Sequence, residues 1–257
     1  MAIKINSASA RISETISLND ISFNVGSGSV SVIVGPNGAG KTSLLRAICN
    51  DLRLQGGEIH LNGKSIKEWT PQERATFLGV LPQQSTLEFP FSVNEVVAMG
   101  RIPHSTSNAH NQSIVEEALA LVDCSHLALR SFPSLSGGEK QRVQLARVAA
   151  QIWEAVDTGP RCLILDEPTV SLDLAHQELV AQMFNFFAEK GVAILVVLHD
   201  LNLAAKCASQ ILVLDKGGMV AKGTPEDVIT QSMLADVFHI SAKVISHPLD
   251  ARPMVVT

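Results

Sequence analysis

GPNGAGKT, Gly35–Thr42, carries the spacing G-x-x-x-x-G-K-[ST] between two apolar segments. Ser29–Val34 (SVSVIV) before it reads as a short buried strand. After it, Leu44, Leu45 and Ile48 fall on one face of a predicted helix. Strand, glycine loop and helix together make a phosphate cradle. Gly35, Gly38 and Gly40 let the backbone turn so that successive N–H groups point at phosphate oxygens. Pro36, Asn37, Ala39 and Ser43 complete the candidate lining. Lys41 adds a point charge for the β- and γ-phosphates, and the Thr42 hydroxyl is placed to ligate Mg²⁺. The helix aims its positive end at the same anion.

A second segment, Cys162–Glu167 (CLILDE), works differently. An apolar run before two carboxylates predicts a central parallel strand buried on both faces. Its acids then fall at the strand's C-terminal end, where ligands bind in open α/β sheets. Asp166 is placed to hold Mg²⁺, directly or through water. Glu167 would stand beside the γ-phosphate and orient or deprotonate the attacking water. A third segment, Leu135–Glu139 (LSGGE), opens an amphipathic helix over Glu139–Trp153, with Leu145, Val148, Ala149 and Ile152 at helical spacing. Its Ser-Gly-Gly start predicts a bare, positively polarised N-terminus, a second anion site.

The order GPNGAGKT, LPQQ (Leu81–Gln84), LSGGE, LILDEPT, SLD (Ser171–Asp173) and LHD (Leu198–Asp200) resembles the ATP-binding subunit of an ABC transporter. The resemblance covers nearly the whole chain, and LSGGE is its most family-specific piece. It implies an α/β fold: a P-loop NTPase (RecA-like) core with a mostly parallel sheet, an antiparallel β subdomain and an inserted helical subdomain. It also implies ATP and Mg²⁺, and a role for each matching residue. Gln83 contacts Mg²⁺ and the γ-phosphate and reports to the membrane partner; Gln84 is the alternative, because the doubled glutamine leaves the register open by one. Ser136, Gly137 and Gly138 bind the γ-phosphate of the other subunit's nucleotide. Asp173 reaches across the dimer, and His199 positions the γ-phosphate. The implied partners are a second copy of the chain, two permease subunits and, indirectly, a periplasmic substrate-binding protein. The implied location is the cytoplasmic face of the inner membrane, peripherally bound.

The dimer also follows from a physical argument. One cradle already holds the triphosphate, so the anion site at Ser136–Gly138 is unused within a monomer. Isologous two-fold pairing lets each LSGGE cap the partner's nucleotide.

Composition narrows the alternatives. The chain has 257 residues, enough for one large domain or two subdomains around a sizeable core. The longest apolar runs, such as Ala193–Leu198, have strand length and fall short of a membrane span. No apolar N-terminal segment suggests a secretory signal. A net charge of −5 offers no basic footprint, so nucleic acid is not an expected partner. Cys49, Cys124, Cys162 and Cys207 lack C-x-x-C spacing and read as small buried hydrophobes. A soluble ABC ATPase acting on DNA or ribosomes would need a long coiled-coil insert or two fused cassettes, and neither is visible. A small-molecule kinase is disfavoured by LSGGE.

The whole chain, 1–257, reads as one ATP-binding domain. Residues 1–84 and 158–257 form the nucleotide-binding core, and 85–157 form the helical subdomain with the LSGGE motif. Ser105–Gln112 is polar and reads as a loop. Phe89-Pro90-Phe91 has two readings: an apolar rim for a permease helix, or packing inside the helical subdomain. Trp69 and Trp153 read as packing residues. The family commonly stacks adenine on an aromatic, usually Tyr, before the cradle; this chain has no Tyr, and Arg11 or Ile12 falls near that position. Phe89–His104 resembles importers of iron chelates, haem and cobalamin. Gln151–Thr169, Asp173–Gln177 and His247–Val256 are most similar to haem importers, with ferric siderophore and cobalamin as the other cargoes.

Overall fold

The computed structural model describes residues 1–11, 17–83 and 89–257. β1 (Ile3–Arg11) and β2 (Ser17–Val25) alternate buried and exposed residues and pair antiparallel. That alternation suits a sheet with one wet face. β3 (Val30–Val34) is buried at every position and leads through the glycine loop into α1 (Lys41–Ile48). β4 (Gly56–Leu61) and the short β5 (Lys64–Ser65) complete an antiparallel sheet of order β2-β1-β4-β5.

α2 (Pro71–Phe77) runs directly into β6 (Leu78–Leu81). Then come α3 (Val93–Ala98), α4 (Asn108–Leu121) and α5 (Gly137–Gln151). They pack on one another, and α5 also packs on β6. The remaining chain alternates strand and helix: β7 (Cys162–Asp166), α6 (Leu174–Glu189), β8 (Ala193–Val197), α7 (Leu201–Cys207) and β9 (Gln210–Asp215). β10 (Gly218–Gly223), α8 (Pro225–Val228), α9 (Gln231–Phe238) and a hairpin of β11 (Lys243–Ser246) and β12 (Pro253–Val256) end the chain.

The second sheet has the order β10-β9-β3-β8-β7-β6. All its pairings are parallel except the β10 edge. Successive residues of the central strands feed opposite layers. Leu163 and Leu165 join the core beneath the helices, whereas Cys162 and Ile164 join the core under α1 and the antiparallel sheet. Burial on both faces is why these strands read as unbroken apolar runs. β3, β8, β7 and β6 are neighbours, so the loops after them emerge along one edge of the sheet.

The polar stretch predicted as a loop is a loop only to Ser107. From Asn108 the chain is helical. The Ser107 side chain caps α4 by accepting from the His110 amide. Asn111 accepts from Arg101 Nε at 3.0 Å, and His110 Nε2 lies 2.7 Å from Glu154 Oε1. Tertiary partners thus hold a segment whose composition alone does not favour a helix. Trp153 packs against Phe186 and Phe187 of α6, and Trp69 against Phe77. The four cysteines are buried and free.

Candidate functional site

The cradle forms where β3 gives way to α1. Gly40 is the N-cap of α1 with φ +98°, and no side chain caps the helix, so its first amides stay open. Gly35 is required by close approach: a Cβ there would lie 2.1 Å from the Leu214 carbonyl oxygen. Lys41 is buried and donates from Nζ to the carbonyls of Gly35 (2.8 Å) and Pro36 (2.9 Å). Burial pulls its pKa below the ordinary lysine value, against the raising effect of Glu167 and Asp166. Asn37, Gly38, Gly40, Lys41, Thr42 and Ser43, with Gln83 and Glu167, line a cleft of about 240 Å³.

Asp166 ends β7, two strands from β3, and is 3% exposed. Burial pushes its carboxyl above the usual carboxylate range; a hydrogen bond from Thr42 pulls the other way. Its Oδ1 is buried with no hydrogen-bond partner. A buried, orphaned carboxylate oxygen beside a hydroxyl suits a hard divalent cation, which takes oxygen ligands. The residues therefore fit Mg²⁺, although among the described residues no ready-made cluster of three or more His, Cys, Asp or Glu exists.

Glu167 follows immediately, and both of its oxygens are engaged. Gln83 Nε2 donates to Oε2 at 3.0 Å, and His199 Nε2 lies 2.5 Å from Oε1. Gln83 comes from the end of β6 and His199 from the loop after β8, so three neighbouring strands deliver one cluster. Gln84, the alternative to Gln83, lies outside the described residues, as does Ile12. Arg11 closes β1 opposite Ser17.

Ser136, Gly137 and Gly138 are not part of this cleft. They begin α5, and their start is less bare than the sequence suggests. Ser136 and Glu139 form a capping box, with Ser136 N donating to Glu139 Oε2 at 2.7 Å and Glu139 N to Ser136 Oγ at 3.3 Å. The glutamate of LSGGE sits three residues after the cap, which is the reciprocal position. Asp173 caps α6 and accepts from His176 N (2.9 Å) and His176 Nδ1 (2.8 Å). These bonds hold its carboxyl below the usual range, the His176 amide contributing most. The sequence gives no sign that Gln141, on α5, donates to the Pro168 carbonyl at 3.1 Å. A glutamine on a helix flank has no local signature. Phe89 is 71% exposed, which removes internal packing as its role; its ring lies 6.2 Å from that of Phe91.

Comparison with known proteins agrees with this geometry. Residues 18–170 match the family model described as "ABC transporter". A protein of Pseudomonas entomophila (strain L48) named "Hemin import ATP-binding protein HmuV" is 48% identical over 240 residues, 93% of each chain. One of the same name from Shewanella denitrificans is 43% identical over 257 residues, 99% of this chain and 100% of the relative. Among solved structures, an inward-facing metal-chelate type ABC transporter superposes with a TM-score of 0.81 at 25% identity, over 99% of this chain and 96% of that one. A bacterial ABC transporter cassette solved as a dimer superposes with a TM-score of 0.76 at 24% identity, over 86% and 98%. Family match and identity extend through the cradle, the LSGGE helix and the acid-ended strand alike, and the chain belongs to the ABC transporter family.

Proposed function

We propose that this chain is the ATP-hydrolysing subunit of an importer that carries haem (hemin) across the inner membrane through a separate permease. One observation carries the ATPase reading. A carboxylate, Glu167, stands in the same cleft as the cradle lysine and is held by Gln83 and His199.

The residues divide the work as follows. The open amides of α1 and Lys41 bind the β- and γ-phosphates of ATP. Gly35, Pro36, Asn37, Gly38, Ala39, Gly40 and Ser43 shape that loop. Thr42, Asp166 and Gln83 would hold Mg²⁺, which supplies positive charge against the phosphate oxygens. Glu167 orients the attacking water and takes its proton, while His199 fixes the carboxylate and positions the γ-phosphate. The phosphates add negative charge that opposes the desolvation of Lys41 and favours its charged form. Ser136, Gly137 and Gly138 of a second copy close over the nucleotide, and Asp173 reaches across that interface.

The helical subdomain of α3, α4 and α5 meets the permease, with outward-facing Phe89 at the rim. Among the described residues no helix is long and apolar enough to cross a membrane. The chain would act as a peripheral subunit at the cytoplasmic face, two per complex with two permease subunits, as the names of its relatives suggest for an import ATP-binding protein. A periplasmic substrate-binding protein would deliver the cargo. Haem as cargo rests on the names of relatives that match along nearly the entire chain. Import of a ferric siderophore or cobalamin is the second reading, supported by the metal-chelate type transporter among the solved structures.

Reconstitution with a candidate permease in vesicles tests the cargo. Haem-loaded binding protein should stimulate ATP hydrolysis, and the empty protein should not. Stimulation only by siderophore- or cobalamin-loaded protein transfers the subunit to that cargo. A rate indifferent to every permease and cargo rejects the coupled-importer reading.

A further inference from the structure

Glu167 occupies an unusual backbone conformation. Its φ is +53°, in the left-handed region, which residues other than glycine rarely adopt. Such a conformation persists only where the surroundings over-determine it. Pro168 disfavours the right-handed helical conformation at Glu167 but does not by itself select the left-handed one. The restraint must come from contacts.

Backbone bonds supply part of it. Glu167 N donates to Val197 O at 3.2 Å, Val170 N to Glu167 O at 3.3 Å, and Leu172 N to Thr169 O at 3.2 Å. All three are long. Ser171 in the same turn also has a positive φ, +67°. A side chain from outside the turn supplies a further tie: Gln141 Nε2 donates to the Pro168 carbonyl at 3.1 Å. One helical turn earlier on α5, Gly138 lies so close that a Cβ there would be 2.9 Å from Ser171 O. Residues three apart share a helix face, so α5 presses the 167–173 turn at two points. The absent side chain at Gly138 permits the approach, and the amide at Gln141 secures it.

We propose that Gln141 is a positioning residue for hydrolysis. By holding the Pro168 carbonyl it fixes the turn that sets the Glu167 carboxylate. It thereby ties the chain's own water-orienting group to the helix whose first residues, Ser136–Gly138, face the second copy's nucleotide. This deepens the reading given under Proposed function and rests on it. Gln141 does not line the cleft of Lys41 and Glu167; it acts through Glu167.

The full-length chain with Gln141→Met, Gln141→Glu and Gln141→Lys tests it. Met and Glu keep the length and remove the donor, whereas Lys restores one. Met and Glu should lower kcat roughly five- to tenfold, the weight of one hydrogen bond, with KM and nucleotide affinity within about twofold. Hydrogen exchange at the Val170 and Leu172 amides should quicken, and Lys should recover most of kcat. Unchanged kcat in the Met and Glu variants overturns the proposal. So does a loss that follows melting temperature and is not rescued by Lys, or aggregation of all three variants. Glu167→Gln is measured alongside: if it turns over normally, the assignment of Glu167 fails, while exchange at Val170 and Leu172 still reports on the tie itself.

Discussion

Glu167 is bound at both carboxylate oxygens, and Lys41 is bound to the carbonyls of its own loop. The two side chains should fail differently when removed. Glu167→Gln keeps the size of the side chain and its contact with Gln83, so ATP affinity should survive. Turnover should fall by orders of magnitude, each tenfold being about 1.4 kcal/mol of barrier. On the proposed reading, Lys41→Ala removes a phosphate contact made in the ground state, so it should weaken binding itself. Equilibrium binding of a fluorescent ATP analogue, beside steady-state hydrolysis, separates the two. Near-normal hydrolysis in Glu167→Gln would move the water-orienting role elsewhere. Both residues were legible in the sequence, because a short motif fixes their neighbours along the chain. The left-handed φ of Glu167 was not legible, because it depends on α5 and β8.

Among the elements, α3 shows how a short helix is held. It spans only Val93–Ala98, too short to persist alone. Ser92 and Glu95 form a capping box, with Ser92 N and Oγ both donating to Glu95 Oε2 at 2.7 Å. Val93, Val96 and Val97 are completely buried against α4 and α5. Ser92→Ala should cost about 1 kcal/mol in urea unfolding. The hydrogen bonds from Ser92 hold the Glu95 carboxyl below its ordinary value. A lowered carboxyl stabilises the fold above its unfolded pKa, about 4.3, and that contribution is lost as pH falls through the folded value. The gap between wild type and Ser92→Ala should therefore be full at neutral pH and narrow as pH falls below the unfolded value. Ser92→Ala keeps the backbone donor to Glu95, so a gap that is constant with pH would show that the Ser92 hydroxyl adds nothing through the Glu95 carboxylate. Capping boxes are readable in sequence. The start of α4 was not, because its Asn and His residues are helical only through tertiary partners such as Arg101 and Glu154.

At the scale of the whole molecule, α5 begins away from the cleft that holds Lys41 and Glu167. The amides of Gly137 and Gly138, in the first turn of α5, have no acceptor within the helix. A second copy bound through nucleotide would use them. Light scattering of Glu167→Gln should show a monomer without nucleotide and a dimer with ATP. Adding Ser136→Arg should abolish the dimer, because the bulky side chain blocks the closing face, while leaving the monomer's affinity for nucleotide almost intact. One mass with and without ATP in the Glu167→Gln protein would reject nucleotide sharing between copies.

The cradle, the acid-ended strand and the LSGGE helix were determined by the sequence alone, since each rests on residues within a few positions of one another. Glycine freedom, strand burial and helix polarity act over that range. The tertiary structure decided what joins them. It put Gln83, Glu167 and His199 from three separate loops into one hydrogen-bonded cluster and turned Phe89 outward. It also set Gln141 on the Pro168 carbonyl and left Asp166 Oδ1 buried without a partner. The physical reason is the order of the parallel sheet. β6, β7, β8 and β3 lie side by side although they are far apart in the chain, so their C-terminal loops meet only after the strands have paired.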